Sequence, residues 1–129
     1  MTSDELVQLA RAAAQDSYSP YSQFRVGAVV VGEGGEVFTG VNVENASYPV
    51  SSCAEDTAIN TAVSQGVRKI SVVAVACIDA KDVGGAYPCG RCRQIMSEFG
   101  VEKVIVTAGD GSAVREHTLD YLLPHQFEL

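Results

Sequence analysis

The chain has 129 residues, 47% hydrophobic and 19% charged, enough apolar side chain for one ordinary core and too much for a disordered or collagen-like polymer. Nine basic against sixteen acidic residues leave a formal net charge of −7. Proteins that grip polyanions carry basic faces to neutralise phosphates, so long nucleic acid is not an expected partner. The longest apolar run, Val72–Ile78, is too short to span a bilayer, and no membrane association is expected. Met1-Thr2-Ser3-Asp4-Glu5 lacks the basic start and apolar stretch of a secretory signal. A cytoplasmic location is the expectation, and there four cysteines stay reduced and serve as metal ligands, nucleophiles or core thiols.

No internal repeat or linker interrupts the chain, so residues 1–129 read as a single domain. Thr2-Ser3-Asp4-Glu5 fits a capping box, with Thr2 as N-cap and Glu5 reaching back. Leu6, Leu9, Ala10, Ala13 and Ala14 then recur at helical spacing and predict about four turns. Ser19-Pro20-Tyr21-Ser22 breaks that helix. Phe24–Val31 and Val37–Val43 are β-rich runs joined by Gly32-Glu33-Gly34-Gly35, a hairpin signal. Residues 44–50 are polar and irregular. A second helix is predicted from Cys53 to Gln65, capped by Ser51 or Ser52 and stopped by Gly66.

Ile70–Ile78 is a nearly unbroken run of Val, Ala and Ile, as expected of a strand buried on both faces. Residues 81–88 form a loop around Gly84-Gly85. Cys89–Phe99 predicts a third helix closed by Gly100, and Val104–Thr107 a fourth strand. Asp110-Gly111 turns the chain into a fifth strand, Val114–His117, and Thr118 caps a last helical turn ending at Pro124. The order α-β-β-α-β-α-β-β-α predicts an α/β fold, one mixed sheet covered by helices.

Two segments carry the chemistry: Cys53-Ala54-Glu55 and Pro88-Cys89-Gly90-Arg91-Cys92. The C-x-x-C spacing lets Cys89 and Cys92 share one Zn²⁺, and Cys53 at the start of another helix supplies a third sulfur. Helix N-termini also favour thiolate. Three protein ligands leave one tetrahedral position open, where such a metal activates water. Glu55 is near enough to take a proton without binding the metal. C-x-E followed by P-C-x-x-C is the ligand-and-base pattern of zinc nucleobase deaminases.

With these motifs the chain resembles the small homotetrameric cytidine deaminases over nearly its whole length. Ser19-Pro20-Tyr21-Ser22, Phe24, Val26-Gly27-Ala28, Gly40, Asn42-Val43-Glu44-Asn45-Ala46, Tyr48, Leu122-Leu123-Pro124 and Phe127 carry the likeness. The resemblance implies a three-layer α/β/α sandwich with one mixed five-stranded sheet. It further implies hydrolytic deamination of cytidine and 2'-deoxycytidine, with one Zn²⁺ per subunit on Cys53, Cys89 and Cys92 and Glu55 as proton shuttle. Phe24 would lie against the pyrimidine, and Asn42 and Glu44 would bind the ribose hydroxyls. Ala46 and Ala54 would also touch the substrate, while Tyr48 and Phe127 would help complete sites of neighbouring subunits in the tetramer.

The chain departs from the family pattern at one point. Many members carry Arg directly after the catalytic Glu, where it offsets the charge of the zinc thiolates; here the residue is Asp56. Arg91, between the two paired cysteines, is expected to supply that charge from the other helix. The alternative is that Asp56 points to solvent and helix dipoles suffice.

Plainer readings stand beside these. Ser52-x-x-Glu55 also fits a capping box. Cys77, in an apolar strand, reads as a core thiol, and His117 and His125 as surface or packing residues. A deaminase for a related aminopyrimidine nucleoside such as blasticidin S is the nearest alternative function. Cys89-Gly90-Arg91-Cys92-Arg93-Gln94 suits that subgroup, and Phe24, Asn42, Glu44 and Tyr48 argue against it.

Overall fold

A computed structural model describes residues 1–129. The elements follow the predicted order: α1 (Ser3–Ala14), β1 (Val26–Gly32), β2 (Val37–Val41), α2 (Ala54–Ser64), β3 (Ile70–Cys77), α3 (Gly90–Glu98), β4 (Lys103–Ala108), β5 (Val114–Thr118) and α4 (Leu119–Leu122). Two 3-10 turns, Tyr48–Val50 and Val83–Gly85, fall in segments expected to be irregular. No helix is long and apolar enough to cross a membrane.

The five strands form one sheet in the order β2-β1-β3-β4-β5. Only β3 and β4 run parallel, with Val73 opposite Val104; the other neighbours are antiparallel. A parallel pair needs a crossover, and α3 provides it.

Strand alternation sorts the core into two layers. Val29, Ala74, Ala76 and Ile105 face Leu6, Val7 and Ala10 of α1. Ala28, Val30, Val73, Val75 and Cys77 face the opposite side, against Ala54, Ala58, Ile59 and Ala62 of α2 and Cys92 and Met96 of α3. The result is the three-layer α/β/α sandwich. Ile59 is fully buried, and truncating it to Ala would cost roughly 2–5 kcal/mol.

The helix starts have identifiable causes. Thr2 accepts from Glu5 N at 3.1 Å, and Thr2 N donates to Glu5 Oε1 at 3.0 Å, completing the capping box. The predicted cap of α2 is corrected: Cys53, not Ser51 or Ser52, occupies the N-cap. Glycine at position 40 lets α2 approach the sheet. A Cβ there would stand 2.4 Å from Ala58 N and 2.8 Å from Ala54 O, inside the first turn that carries Glu55.

The first strand begins two residues later than its apolar pattern suggests. Phe24 N donates to Ser22 Oγ and Arg25 N to Asp79 Oδ2 at 2.8 Å, so side chains take the bonds a ladder would use. Phe24 is thereby left on a loop at the end of the sheet.

Candidate active site

The metal motif is assembled from the starts of two helices. Cys53 caps α2 and Cys89 caps α3, both in extended backbone with φ near −75° and −70°. Neither sulfur caps its helix by a hydrogen bond, so both remain available to another partner. Cys92, one turn into α3, is fully buried. The three Sγ atoms lie within 4.8 Å of one another.

This donor set fits zinc. With Zn–S bonds of about 2.3 Å, a tetrahedral ion holds sulfurs roughly 3.8 Å apart, a separation compatible with the 4.8 Å span of the cluster. Soft thiolates select zinc over hard divalent cations. Three ligands in place of four leave a position open, as in zinc sites that perform chemistry. Cys77, at the end of β3, belongs to the same core cluster as Cys92 and is outside the sulfur cluster.

The sulfurs are polarised against one another. The Cys53 thiol is drawn down to about 6, first because Cys92 donates a hydrogen bond to it, with Cys89 and the charge of Arg91 assisting against burial. Cys92 moves the opposite way, held protonated by that hydrogen bond and by burial. Burial pushes Cys77 up to about 12, with Glu55 and Asp79 adding repulsion. Its environment is that of an inert core thiol.

Glu55 points into the site. It is 5% exposed, and burial raises its carboxyl to about 7, reinforced by the charges of Cys53 and Asp56. It therefore does not serve as a solvent-facing capping residue. A carboxyl held near neutrality can both take and return a proton.

Beside the cysteines lies a cavity of about 290 Å³, whose walls include Phe24, Asn42, Glu44, Ala54, Glu55 and Tyr87. The pocket brings together five of the residues singled out from the sequence for substrate or proton transfer. Ala46, Tyr48 and Phe127 do not line it: all three are exposed, Tyr48 by 68% and Phe127 by 67%.

Asn42 and Glu44 are held by protein partners at the pocket edge. Asn42 Nδ2 donates to Phe24 O at 2.8 Å, and Oδ1 accepts from Val26 N at 2.9 Å and from Ser17 Oγ. Glu44 accepts from Tyr21 N at 3.0 Å, Ser22 N at 3.2 Å and the Ser22 hydroxyl, which holds its carboxyl below the usual range. One Asn42 N–H and further Glu44 lone pairs remain for a ligand. These bonds orient both side chains.

The charge pattern around the sulfurs differs from both readings of Asp56. Its side chain is 7% exposed and turns away from solvent. Arg91 Nη1 donates to Asp56 Oδ2 at 2.9 Å, and Asn60 Nδ2 to Oδ1 at 2.7 Å. The Arg91 guanidinium thus takes a carboxylate as its hydrogen-bond partner, not a sulfur. Its charge still reaches Cys53 and Cys92.

Two contacts at the site were missed in the sequence because their partners are far apart along the chain. Tyr87, in the pocket wall, shares a 2.6 Å hydrogen bond with His117 Nε2. Arg25 makes two 2.9 Å bonds to the Asp79 carboxylate, fastening the loop of Phe24 to the end of β3.

Fold and site together define an α/β/α protein with a three-cysteine zinc-binding site and a buried carboxyl beside it. A family model, the cytidine and deoxycytidylate deaminase zinc-binding region, matches residues 1–108. Cytidine deaminase of Sporosarcina psychrophila is 40% identical over 129 residues, covering 98% of this chain and 92% of that protein. A probable cytidine deaminase of Dictyostelium discoideum is 42% identical over 124 residues, covering 96% and 82%. Among solved structures, cytidine deaminase from Burkholderia pseudomallei matches at TM-score 0.89 and 40% identity, over 98% of this chain and 100% of that one. The Mycobacterium tuberculosis enzyme matches at 0.81 and 34%, over 100% and 99%. The chain belongs to the cytidine and deoxycytidylate deaminase family.

Proposed function

We propose that this protein hydrolyses cytidine and 2'-deoxycytidine to uridine and 2'-deoxyuridine, releasing ammonia. The observation that carries the reading is Glu55, a buried carboxyl held near 7 beside three convergent cysteine sulfurs and a cavity lined by Phe24, Asn42 and Glu44. Cys53, Cys89 and Cys92 would hold one zinc ion, a Lewis acid that makes water a nucleophile at neutral pH.

The remaining work falls to Glu55. Its carboxylate takes a proton from the attacking water as oxygen bonds to C4 of the pyrimidine, then passes that proton to N3. The same carboxylate then takes the remaining proton from the new C4 hydroxyl and delivers it to the amino nitrogen, so C4=O forms as the C4–N bond breaks and ammonia leaves. One carboxyl suffices because it alternates as base and acid. Its burial keeps the proton from bulk water between these steps.

Phe24, at the pocket wall, is assigned to the pyrimidine face, Ala54 to the pocket base, and Asn42 and Glu44 to the ribose hydroxyls. Their hydrogen bonds to the Ser17–Val26 segment support the last assignment by orienting both groups before substrate arrives. Ala46, Tyr48 and Phe127 lie outside the pocket of their own subunit. We assign Tyr48 and Phe127 to neighbouring sites in a homotetramer, a reading supported by the exposed apolar surface of Tyr18, Tyr21, Tyr48, Val50 and Phe127. The same proposal takes residues 1–129 as one domain and the cytoplasm as the place of action, where the four free cysteines remain reduced.

The test is turnover by the zinc-loaded protein on cytidine, deoxycytidine, cytosine, CMP, adenosine and blasticidin S, followed by absorbance change and ammonia release. Cytidine and deoxycytidine are expected as the best substrates. Preference for blasticidin S would move the assignment to the neighbouring activity, and no turnover of any aminopyrimidine would overturn it.

A further inference from the structure

We infer that Asp56 and Arg91 form a clasp between α2 and α3 that keeps the three cysteine sulfurs within coordinating range of one zinc ion. Both are positioning residues, and the inference rests on the reading of Cys53, Cys89 and Cys92 as zinc ligands.

The geometry gives the pair this role. Cys53 caps α2 and Asp56 lies in the first turn of that helix; Cys89 caps α3 and Arg91 lies in its first turn. The 2.9 Å bond from Arg91 to Asp56 therefore joins the two helix ends that carry the sulfurs. Four ion pairs occur in the chain, and this one alone links two helices. Around it, α2 packs on β1 and β2, α3 is the crossover between β3 and β4, and the two helices also touch directly, so the ion pair ties helix starts that are already neighbours.

The energetics of the two residues make sense only together. A carboxylate buried beside three sulfurs repels the thiolates that a metal requires, and burial of an unpaired charge is costly. Arg91 cancels that charge. A cation in the first turn of a helix also opposes the helix dipole, and Asp56 offsets this for Arg91. Asn60 holds the other carboxylate oxygen at 2.7 Å, so Asp56 presents Oδ2 to Arg91 in a fixed direction. The Arg91 side chain itself is 61% exposed, which makes it replaceable without disturbing the core.

The test is the rate at which the holoenzyme yields zinc to a colorimetric chelator. Asp56→Asn keeps the bond with Asn60, and Arg91→Met keeps the aliphatic stem. Loss of a residue that orients metal ligands commonly weakens metal binding by about 10–100-fold, and each variant is expected to release zinc faster by that order. The double variant is expected to release it no faster than the worse single one, because the clasp can be broken only once. Far-UV circular dichroism and the intensity of the visible bands of the Co²⁺-substituted proteins report whether fold and tetrahedral sulfur geometry persist. Wild-type release rates in both single variants would overturn the clasp, as would losses that multiply in the double variant. A wild-type protein that binds no zinc would overturn the ligand assignment together with the clasp. Zinc retention with failed cytidine turnover would overturn the proposed activity and leave the clasp standing.

Discussion

Tyr87 in the pocket wall and His117 on the edge strand β5 share a hydrogen bond of 2.6 Å across the start of the zinc motif. The His117 ring in turn stacks on Tyr121, with centroids 5.2 Å apart and planes 7° from parallel. Through these contacts the segment leading into Pro88-Cys89 is anchored to the far edge of the sheet. A part-buried hydrogen bond of this type contributes about 1 kcal/mol. Tyr87→Phe, which keeps the ring, is expected to lower the melting temperature by about 3–5 °C. His117→Phe should cost a similar amount, and the double variant less than the sum. Additive losses would show that the two side chains act separately.

The four cysteines are expected to part company in reactivity and in zinc content. After zinc is stripped by a chelator at pH 7.5, Cys53, lowered to about 6, is mostly thiolate, while Cys77, raised to about 12, is almost wholly thiol. Thiolate is the reactive form, so iodoacetamide should label Cys53 early and Cys77 last, with peptide mass spectrometry as the readout. Cys89→Ala should lose zinc and stability together, because metal-binding energy is available only to the folded state. Cys77→Ala should keep its zinc and show only the cost of a small cavity. Zinc lost from the Cys77 variant and retained in the Cys89 variant would reverse the ligand assignment.

Glu55 gives the zinc-free protein a pH signature of known sign. Its carboxyl is raised from 4.5 to about 7 by folding, so the folded state holds a proton that the unfolded state has already lost. Stability from this group is fully present below pH 4.5 and is lost as pH rises to about 7, by an amount of order 3 kcal/mol. Glu55→Gln cannot ionise and is expected to remove that decline, leaving the variant more stable than wild type at pH 8. Denaturant midpoints of both proteins in the presence of chelator, measured from pH 4.5 to 8, check this. Parallel pH curves would contradict it.

What could be read from the residues alone followed chain distance. The Thr2 capping box and the Cys89–Cys92 spacing are local patterns, and each appears as expected. Cys53 could be joined to them because a third sulfur completes a chemical set, even though it is far away in sequence. The Arg91–Asp56, Tyr87–His117 and Arg25–Asp79 contacts span 35, 30 and 54 residues. Nothing periodic marks them, so they became visible only when the sheet brought their elements together. The start of β1 differs from its apolar pattern for a related reason: Ser22 and Asp79 capture the backbone N–H groups of Phe24 and Arg25, overriding the β-propensity of that run. Asp56 departs furthest from what its position in the sequence implies. An acidic side chain in a first helical turn ordinarily faces water, and its burial follows from the arginine that reaches it from another helix.

The most direct test of the account is the activity of Glu55→Gln on cytidine, measured beside its zinc content. The amide nearly matches the carboxyl in shape, so zinc should remain at one ion per chain, but it cannot accept and return the same proton. General acid–base catalysis is worth about 10²–10⁴-fold, and one group serves every proton transfer here. A zinc-loaded variant slowed by at least a hundredfold is the predicted result; a zinc-loaded variant turning over cytidine within about tenfold of wild type, below that range, would contradict the account.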